Sequence, residues 1–508
     1  MITKASLNEI LANRGPIQLV TNSWQSPDGV QFDDVVGFHS YADLGLHLRL
    51  AAAQDARNAD KYLDILEEYA QIAEACCVQA GVRLLEVQGE RLHFFQPAPV
   101  VDDASITQLL RFAVPLTQTI YERLKPKAGA DWNGFAMAAD HGRAIVIATG
   151  RNGDDSIVSL GDAANRPAKR LARTPAVKSG HLALRTVVTG KSPLLVGGGA
   201  NRHDAVWVEI PVNEPPQYLQ AVVSAALKNQ MLVSANAIAN SRTDRIRHIV
   251  KAVTANDVED HATIDDPIEV QALCVRADLD GFSAQVQESF AAGTEQAIRA
   301  LIERFLVIMD YPDEFAKRVH RKIISLPWAG DCATQIILLG PGESWDTLRK
   351  TLPATAAMSW HDSNGTIDGR MREIREAMGS TRWSVGIAGG DGDEGASGKM
   401  LVANIQTASR KFRVASGWNV RRSLDAQQAE NVAADDTVLP LTDYNGLNGD
   451  YQSAFKDLPG SSIFKRATLA VLKKARQNQI EAISKHSPIV VPNIIRGTIP
   501  ASKPFSYD

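Results

Sequence analysis

The chain has 508 residues, of which 44% are hydrophobic and 22% charged, and its formal net charge is -4. Chains longer than roughly 250 to 300 residues usually divide into domains, so we expect at least two. The small negative charge argues against nucleic acid or a membrane surface as the main partner. No charged-then-apolar leader opens the sequence, and no apolar run approaches the roughly 20 residues that a membrane-spanning helix needs.

The cysteines favour a reducing compartment. They lie in apolar stretches and lack the spacing of CxxC or zinc motifs, which is typical of free thiols. We therefore expect a cytoplasmic protein. The four residues are Cys76, Cys77, Cys274 and Cys332.

The first half is predicted to begin with an amphipathic helix and two strands. From Tyr62 to Ala73, apolar residues recur at the three- and four-residue spacing of one helix face. Strands follow at residues 83–87 and 92–95, joined by a tight turn.

A β-hairpin is predicted next, over residues 134–149, with its turn at the Asp-His-Gly-Arg of residues 140–143. A further strand at residues 155–160 leads into Gly-Asp-Ala-Ala-Asn, residues 161–165. This segment is expected to open a helix that continues through Arg170.

The second half repeats this order of elements. Prolines at residues 211–216 break the chain, and helical sequence follows at residues 218–253 with an interruption at residues 240–241. The predicted elements are strands at residues 271–276, 322–326, 334–339 and 383–388, and a helix at residues 294–309.

A shared order of strand, helix, hairpin, helix and strand indicates an α+β fold built from two similar halves. We predict an N-terminal domain at residues 1–215, a helical linker at 216–262 and a second domain at 263–487. Residues 488–508 are expected to pack as an extended tail, because their prolines forbid a long helix.

Two aspartates of the second half stand at predicted strand ends, Asp278 after an apolar strand and Asp331 on a turn after Gly330. Two carboxylates so placed can hold two Mg²⁺ or Mn²⁺ ions, one activating a 3′-hydroxyl and the other neutralising β- and γ-phosphates. Backbone N–H groups of the turn after Asp278 can cradle the polyphosphate. The alternative is that Asp278 caps a helix and Asp331 only makes a turn.

Asn165 and Lys169 are four residues apart, so they share one face of a helix. Asn165 can orient a ribose, and Lys169 or the adjacent Arg170 can meet charge that develops on an α-phosphate. The alternative is a solvated basic face made of Arg166, Lys169 and Arg170.

These segments resemble the motifs of class III nucleotidyl cyclases. Residues 277–283, Ala-Asp-Leu-Asp-Gly-Phe-Ser, and residues 330–332, Gly-Asp-Cys, resemble the paired metal motifs of that family. Residues 161–169, Gly-Asp-Ala-Ala-Asn-Arg-Pro-Ala-Lys, resemble its transition-state segment, typically Gly-Asp-Ala-Val-Asn-Leu-Ala-Ala-Arg. The resemblance covers most of both halves.

The family's active site forms at a head-to-tail interface of two cyclase domains. The resemblance therefore implies two tandem ferredoxin-like, palm-like domains that form a pseudo-heterodimer within one chain. It implies two divalent ions at Asp278 and Asp331, with Leu279 as a further metal-site residue, and catalytic roles for Asn165 and for Lys169 or Arg170. The substrate-binding residues that it implies are Asp162, Asp280, Gly281, Phe282 and Ser283, with Glu86 and Val158 at the base.

Departures from the family pattern suggest that only one of two sites is complete. Thr407 matches the position of the family's Asn in the second half, and Glu90 matches the second metal position in the first half. The first metal position of the first half is ambiguous, because both Asp34 and Asp43 fit it.

The residues at the base positions are unlike those of enzymes that make cyclic AMP. Members that use ATP typically carry Lys and Asp or Thr where this chain has Glu86 and Val158. Glu86 can accept a hydrogen bond from a base, but the Val158 side chain cannot form one.

This pattern resembles the pyrimidine cyclases of the bacterial Pycsar antiphage system, which make cyclic UMP or cyclic CMP. We expect a cyclase that prefers UTP, then CTP. The alternatives are an adenylate cyclase and an inactive, cyclase-like nucleotide sensor; dimerisation of the chain stays open.

Overall fold

The computed structural model describes residues 17–19, 29–45, 56–129, 132, 134–149, 157–171, 177–186, 206–212, 225–241, 251–253, 266–312, 314, 322–340, 342–343, 369–379, 381–388, 399–417, 420, 423 and 489–491. None of the helices within these residues has the length and apolar character needed to cross a membrane.

The first half forms one sheet with the strand order β3-β4-β2-β5-β7-β8; β1 pairs with β2 and β6 with β5. Its strands are β1 (Ile17–Leu19), β2 (Val30–Asp43), β3 (Arg83–Gln88), β4 (Arg91–Pro97), β5 (Ala136–Ala148), β6 (Ile157–Leu160), β7 (His181–Thr186) and β8 (Val206–Pro211). Its helices are α1 (Ala56–Ala80), α2 (Asp103–Ala128), α3 (Asp162–Leu171) and α4 (Ala225–Ser241).

The second half forms a similar sheet with the order β11-β12-β10-β13-β16. In addition, β14 pairs with β10, and β15 pairs with β14. Its strands are β9 (Lys251–Val253), β10 (Ile268–Asp280), β11 (Ile323–Ser325), β12 (Cys332–Leu338), β13 (Arg382–Ala388), β14 (Lys399–Gln406), β15 (Lys411–Ser416) and β16 (Ile489–Val491). Its helices are α5 (Phe282–Ala292), α6 (Glu295–Ile308) and α7 (Gly369–Met378).

Local sequence fixes several of these helix ends. Asp102 accepts a 2.7 Å hydrogen bond from the Ser105 N–H, and the Ser105 hydroxyl contacts the Asp102 N–H, so the pair forms a capping box at the start of α2. Thr294 caps α6 in the same way, through the N–H of Ala297. Within the helical stretch predicted at residues 218–253, α4 occupies Ala225–Ser241, but Lys251–Val253 form the strand β9 instead of a helix.

The α+β class and the repeated order of strands and helices are confirmed, but the predicted hairpin at residues 134–149 is wrong. These residues form the single strand β5, which pairs without a break along β2 from Gln31 to Asp43. Gly142 is therefore not a turn residue. A methyl group there would lie 3.1 Å from Cβ of Ala163, so this glycine admits the close approach of α3 to the strand.

The two largest hydrophobic clusters among the described residues each take residues from both halves. The core over α5 and α6 includes Ile145, Ile147, Val158 and Leu160 of the β5–β6 hairpin. The core over α1 and α2 includes Leu401, Ala403, Ile405, Phe412 and Val414 of the β14–β15 hairpin. Because each buried large apolar side chain contributes roughly 1.5–3 kcal/mol, this exchange of hairpins holds the halves together.

Candidate active site

Asp278 and Asp331 lie at the ends of two neighbouring strands. Asp278 on β10 is directly opposite Cys332 on β12, and Asp331 is the residue before Cys332. The Leu279 N–H donates a 3.1 Å hydrogen bond to the Asp331 carbonyl oxygen, which fixes the two turns against each other. We call Asp278 and Asp331 the second-half carboxylate pair.

The turn that follows Asp278 presents backbone groups rather than side chains. Leu279 and Phe282 are buried in the core, and the Phe282 ring centroid lies 5.3 Å from that of Phe305. Gly281 has φ = +85° and precedes α5 without capping it through a side chain. The first N–H groups of α5 are suited to an anion, because a helix N-terminus carries unsatisfied donors.

Asn165 reaches this turn from the other half of the chain. Its Nδ2 donates a 3.1 Å hydrogen bond to the hydroxyl of Ser283. A methyl group on Gly330, which has φ = +64°, would lie 3.3 Å from Oδ1 of Asn165. The structure therefore brings Asn165 close to both the turn after Asp278 and the turn before Asp331.

Ion pairs orient α3 on its own sheet. Arg166 contacts Asp162 one turn earlier in the helix and also Asp140 on β5, at 3.2 Å. Arg185 on β7 contacts the same Asp140 oxygen at 3.2 Å. Burial raises the pKa of the Asp140 carboxyl, while Arg185 and Arg166 act in the opposite direction. Asp162, predicted to bind substrate, thus has its carboxylate engaged by Arg166.

The two cations offered by α3 differ in their surroundings. Arg170 forms a 2.7 Å ion pair with Glu209 on β8. Lys169 is exposed and lies on the helix face of Asn165, one turn further along. We therefore expect Lys169, rather than Arg170, to contact an incoming phosphate, because the Arg170 guanidinium is already paired with Glu209.

The two residues at the predicted base positions lie on opposite faces of the first sheet. Val158 is buried in the core shared with α5 and α6. Glu86 is buried opposite His93 on β4. Asp280 ends β10, and its side chain lies outside the described residues.

A buried aromatic cluster on the Glu86 face was not predicted from the sequence. The rings of Tyr41 and His93 stack at 4.1 Å, and Nε2 of His93 lies 3.1 Å from Nδ1 of His39. Burial raises the pKa of Tyr41, and the carboxylates of Glu86 and then Asp331 raise it further. Tyr41 therefore interacts electrostatically both with Glu86 at the predicted base position and with Asp331 of the second-half carboxylate pair. The alternation of polar residues along β2 is the sequence feature that could have predicted this cluster.

Arg276 was also missed. It lies two residues before Asp278 and on the same face of β10, and it interacts electrostatically with Cys332 and with Asp278. Burial raises the pKa of Cys332 to about 12, so its thiol stays neutral near neutral pH.

The first half repeats the geometry of the carboxylate pair with Asp43 and Glu90. The Leu44 N–H donates to the Glu90 carbonyl oxygen at 3.0 Å, which matches the bond between Leu279 and Asp331. We call Asp43 and Glu90 the first-half carboxylate pair. This resolves the ambiguity between Asp34 and Asp43 in favour of Asp43, because Asp34 lies well inside β2 and forms an ion pair with Arg143.

The predicted match of Thr407 to Asn165 is wrong. Thr407 begins the turn between β14 and β15, where its N–H donates to the Arg410 carbonyl oxygen and its hydroxyl contacts Glu74. The glycine that corresponds to Gly161, at φ = +140°, is Gly417, at φ = +141°. The residue four positions after Gly417 is Arg421, which lies outside the described residues.

One further contact occurs twice, once in each direction between the halves. A methyl group on Gly330 would lie 3.7 Å from the carbonyl oxygen of Ser159 on β6. A methyl group on Gly89 would lie 4.0 Å from the carbonyl oxygen of Ala415 on β15. Each carboxylate turn therefore faces the second strand of the other half's hairpin.

The second-half pair has the donor chemistry of a magnesium or manganese site. Carboxylate oxygens are the ligands that these hard cations prefer, and Mg²⁺ commonly takes only one or two of them and completes its shell with substrate phosphates and water. Among the described residues there is no group of three or more His, Cys, Asp and Glu side chains that could form a closed metal cage. Two carboxylates beside a helix N-terminus fit the open type of site.

Comparison with known structures shows the fold. The chain is similar to a class III adenylyl cyclase-like ATP-binding protein from Pseudomonas aeruginosa, with TM-score 0.63 and 17% identity over 91% of this chain and 97% of that chain. It also matches the guanylyl cyclase Cya2, with TM-score 0.27 and 13% identity over 36% of this chain and 96% of that one. The adenylyl cyclase CyaB of P. aeruginosa matches with TM-score 0.24 and 13% identity over 38% and 84%.

The match at TM-score 0.63 spans both halves, so the chain has a class III cyclase-like α+β fold over most of its length. Neither the protein-family models nor the curated proteins include a match to the sequence.

Proposed function

We propose that the protein is a nucleotidyl cyclase that converts a nucleoside triphosphate to a 3′,5′-cyclic nucleotide and pyrophosphate. The observation that carries this proposal is the position of Asn165, which contacts Ser283 and approaches Gly330. A ribose-orienting amide, a phosphate-binding turn and a carboxylate pair thereby meet at one place, although they come from distant parts of the sequence.

The two halves would act as a pseudo-heterodimer, with the second half supplying the carboxylates and the first half supplying α3. The paired contacts of Gly330 with Ser159 and of Gly89 with Ala415 support this arrangement. So does the exchange of hairpins between the two cores.

In this mechanism the 3′-oxygen attacks the α-phosphorus, the 3′-hydroxyl proton passes to a water molecule, and the bond from the α-phosphorus to the bridging oxygen of pyrophosphate breaks, so that pyrophosphate leaves with the electron pair. Two divalent ions bound at Asp278 and Asp331, with the Leu279 carbonyl as a further ligand, would lower the pKa of the 3′-hydroxyl and neutralise the leaving phosphates. The N–H groups at the start of α5, from Gly281 to Ser283, hold the triphosphate.

The residues of α3 act on the opposite side of the α-phosphate. The Asn165 amide orients the ribose so that the 3′-oxygen is in line with the leaving group. Lys169 stabilises charge on the α-phosphate oxygens as the new bond forms. Arg170, which is paired with Glu209, keeps α3 on its sheet.

The preferred base is proposed to be uracil, and then cytosine. Glu86 offers a carboxylate acceptor to a base N–H. Val158 lies on the opposite face of the sheet, in the core shared with α5 and α6, so it does not contact the same base, and the proposed preference rests on Glu86 and on the resemblance of the sequence to the pyrimidine cyclases. On this resemblance, the cyclic nucleotide would be a second messenger of antiviral defence, made in the cytoplasm.

The decisive experiment incubates the protein with Mn²⁺ and each of the four ribonucleoside triphosphates, followed by mass spectrometry of the products. We expect a cyclic product from UTP, a smaller amount from CTP, and none with the Asp278→Asn variant. Wild-type activity in Asp278→Asn would refute the catalytic assignment, and cyclic AMP as the main product would refute the base assignment alone.

A nucleotide-binding protein without turnover is the second candidate. It is favoured by Lys169, which stands where the family usually has arginine, and by the similarity to a protein described as cyclase-like and ATP-binding. Calorimetry that detects triphosphate binding to a protein that forms no cyclic product would establish this candidate instead.

A further inference from the structure

The first-half carboxylate pair has a different neighbour from the second-half pair. At the position opposite the first aspartate, β4 begins with Arg91 where β12 begins with Cys332. The Arg91 guanidinium forms a 3.0 Å ion pair with Oδ2 of Asp43, and each of the two side chains is only 24% exposed. The other oxygen, Oδ1, accepts the Gly45 N–H at 3.1 Å. Both oxygens of Asp43 are therefore engaged by the protein itself.

The charged groups around Asp43 also disfavour a divalent ion at this position. The hydroxyl of Tyr69, on α1, is fully buried and lies in the field of Asp43, Glu90 and Arg91 together. A guanidinium stays protonated at any ordinary pH. A divalent ion at Asp43 and Glu90 would therefore have to bind beside a fixed positive charge in a partly desolvated site, where repulsion between like charges is strong.

The second half also has a cation near its carboxylates, but in a different position. Arg276 lies two residues before Asp278 on β10, whereas the residue directly opposite Asp278 is Cys332. The equivalent residue of the first half is Tyr41, two residues before Asp43. In the first half, the cation Arg91 lies opposite the aspartate of the pair and the neutral Tyr41 lies two residues before that aspartate. In the second half, Cys332 lies opposite the aspartate and the cation Arg276 lies two residues before it.

We infer that Arg91 takes the place of a divalent ion in the first half, so that Asp43 and Glu90 form an internal ion-pair site and the chain has a single metal centre. The donor set of Asp43 and Glu90 resembles that of Asp278 and Asp331, but the residue beside it excludes a metal. This inference uses the proposed metal role of Asp278 and Asp331 only as a reference.

The test counts bound Mn²⁺ by electron paramagnetic resonance in full-length protein without nucleotide. An Asp278→Asn/Asp331→Asn variant removes the second-half pair and is expected to bind no Mn²⁺. Adding Arg91→Cys, the residue of the equivalent position, should create a site for about one Mn²⁺ per chain. A further Asp43→Asn change should abolish that site, and Arg91→Lys, which keeps the charge, should not create it.

Thermal unfolding provides the second measurement. Arg91→Cys in the same background should melt at a lower temperature than its parent in chelator, because Asp43 loses its partner, and Mn²⁺ should restore the melting temperature. Arg91→Gln carries the same expectation in case the cysteine variant does not fold.

The outcomes separate this inference from the proposed function. Mn²⁺ that binds the variant with Arg91 intact and is lost with Asp43→Asn would overturn the inference, as would Arg91→Cys and Arg91→Gln proteins that fold but gain no Mn²⁺. If removal of Asp278 and Asp331 leaves the Mn²⁺ count of the wild type unchanged, and Asp43→Asn leaves it unchanged too, the proposed metal site of the cyclase fails instead.

Discussion

The two carboxylate pairs share a backbone arrangement and differ in the side chain next to them. In both, the first carboxylate lies at or near the end of the central strand, and the N–H of the residue after it donates to the carbonyl oxygen of the second carboxylate residue, at 3.0 Å in the first half and 3.1 Å in the second. Beside Asp43 stands Arg91; beside Asp278 stands Cys332. The backbone arrangement is therefore the same in both halves, and on the inference drawn above the residue opposite the aspartate determines which pair can bind a divalent ion.

The β5–β6 and β14–β15 hairpins also share a backbone arrangement and differ in the residues that follow them. β5 with β6 and β14 with β15 pair alike, and each leads to a glycine near φ = +140°. Only Gly161 begins a Gly-Asp-Ala-Ala-Asn sequence, which places Asn165 against the opposite carboxylate turn. On the proposed function, the second half supplies the carboxylate pair and the first half supplies Asn165, so the chain has one complete site. Substitutions in the two halves can therefore be compared.

The largest expected contrast is between Asn165 and Thr407. Asn165→Ala should lower kcat by about 100-fold or more with little change in KM, because the amide acts on the ribose as the 3′-oxygen attacks and a well-placed donor of this kind is worth roughly 10²–10³ in kcat. Thr407→Ala should leave kcat unchanged, since its hydroxyl serves only the turn and Glu74. Steady-state kinetics of product formation measures both.

Chemical unfolding supplies the control for this pair. Thr407→Ala should lose about 1 kcal/mol of stability with the side-chain hydrogen bonds, and Asn165→Ala less, because Asn165 is only half-buried. A Thr407→Ala protein that is stable but inactive would show that the second hairpin takes part in the reaction, against the assignment made from the position of Gly417.

A smaller contrast is expected between the glycines of the two carboxylate turns. Gly330 and Gly89 have φ = +64° and +61°, so alanine at either position should cost about 1–2 kcal/mol of stability. Only at Gly330 would the new methyl group press on Asn165, at 3.3 Å from Oδ1. We expect Gly330→Ala to lower kcat on the order of 10-fold and Gly89→Ala to leave it unchanged, because misplacement of a reacting group is costly. Equal losses of kcat would indicate that the first-half turn also contacts substrate.

Much of the fold and the frame of the site could be predicted from the sequence. Amphipathic spacing located α1 and α6, and short motifs located Asp278, Asp331 and Asn165. These features are local, because periodicity and turn sequence act over a few residues. The contact of Asn165 with Ser283 was predictable only through the family resemblance, since no local rule joins residues that are 118 positions apart.

The errors came from glycine and from tertiary contacts. Gly142 with polar neighbours is typical of a turn, but here the neighbours Asp140 and Arg143 form ion pairs and the glycine makes room for Ala163. Thr407 was matched by counting along a segment whose hairpin was not visible in the sequence. Arg91 follows Glu90 directly, yet its role depends on its partner across the strands, Asp43.

The last expected effect is on stability rather than on kcat, and it concerns a pair of histidines that only the first half has. His39 and His93 are fully buried, and their counterparts in the second half are Cys274 and Thr334. Burial lowers the pKa of His39 to about 3, with His141 as a lesser cause, and burial with His39 lowers the pKa of His93 well below its usual value. In the unfolded chain both would titrate near 6.5.

Stability should therefore decrease as the pH falls below about 6.5, because the unfolded state binds protons that the folded state cannot. Each histidine contributes a slope of about 1.4 kcal/mol per pH unit until the pH reaches its folded-state value, near 3 for His39. His39→Gln keeps a polar group beside His93 but removes one titrating site, so its stability should fall less steeply between pH 6 and pH 4. Urea unfolding at a series of pH values measures both slopes; identical slopes for variant and wild type would mean that His39 takes up a proton in the folded protein, and that the buried cluster beside Tyr41 opens to water.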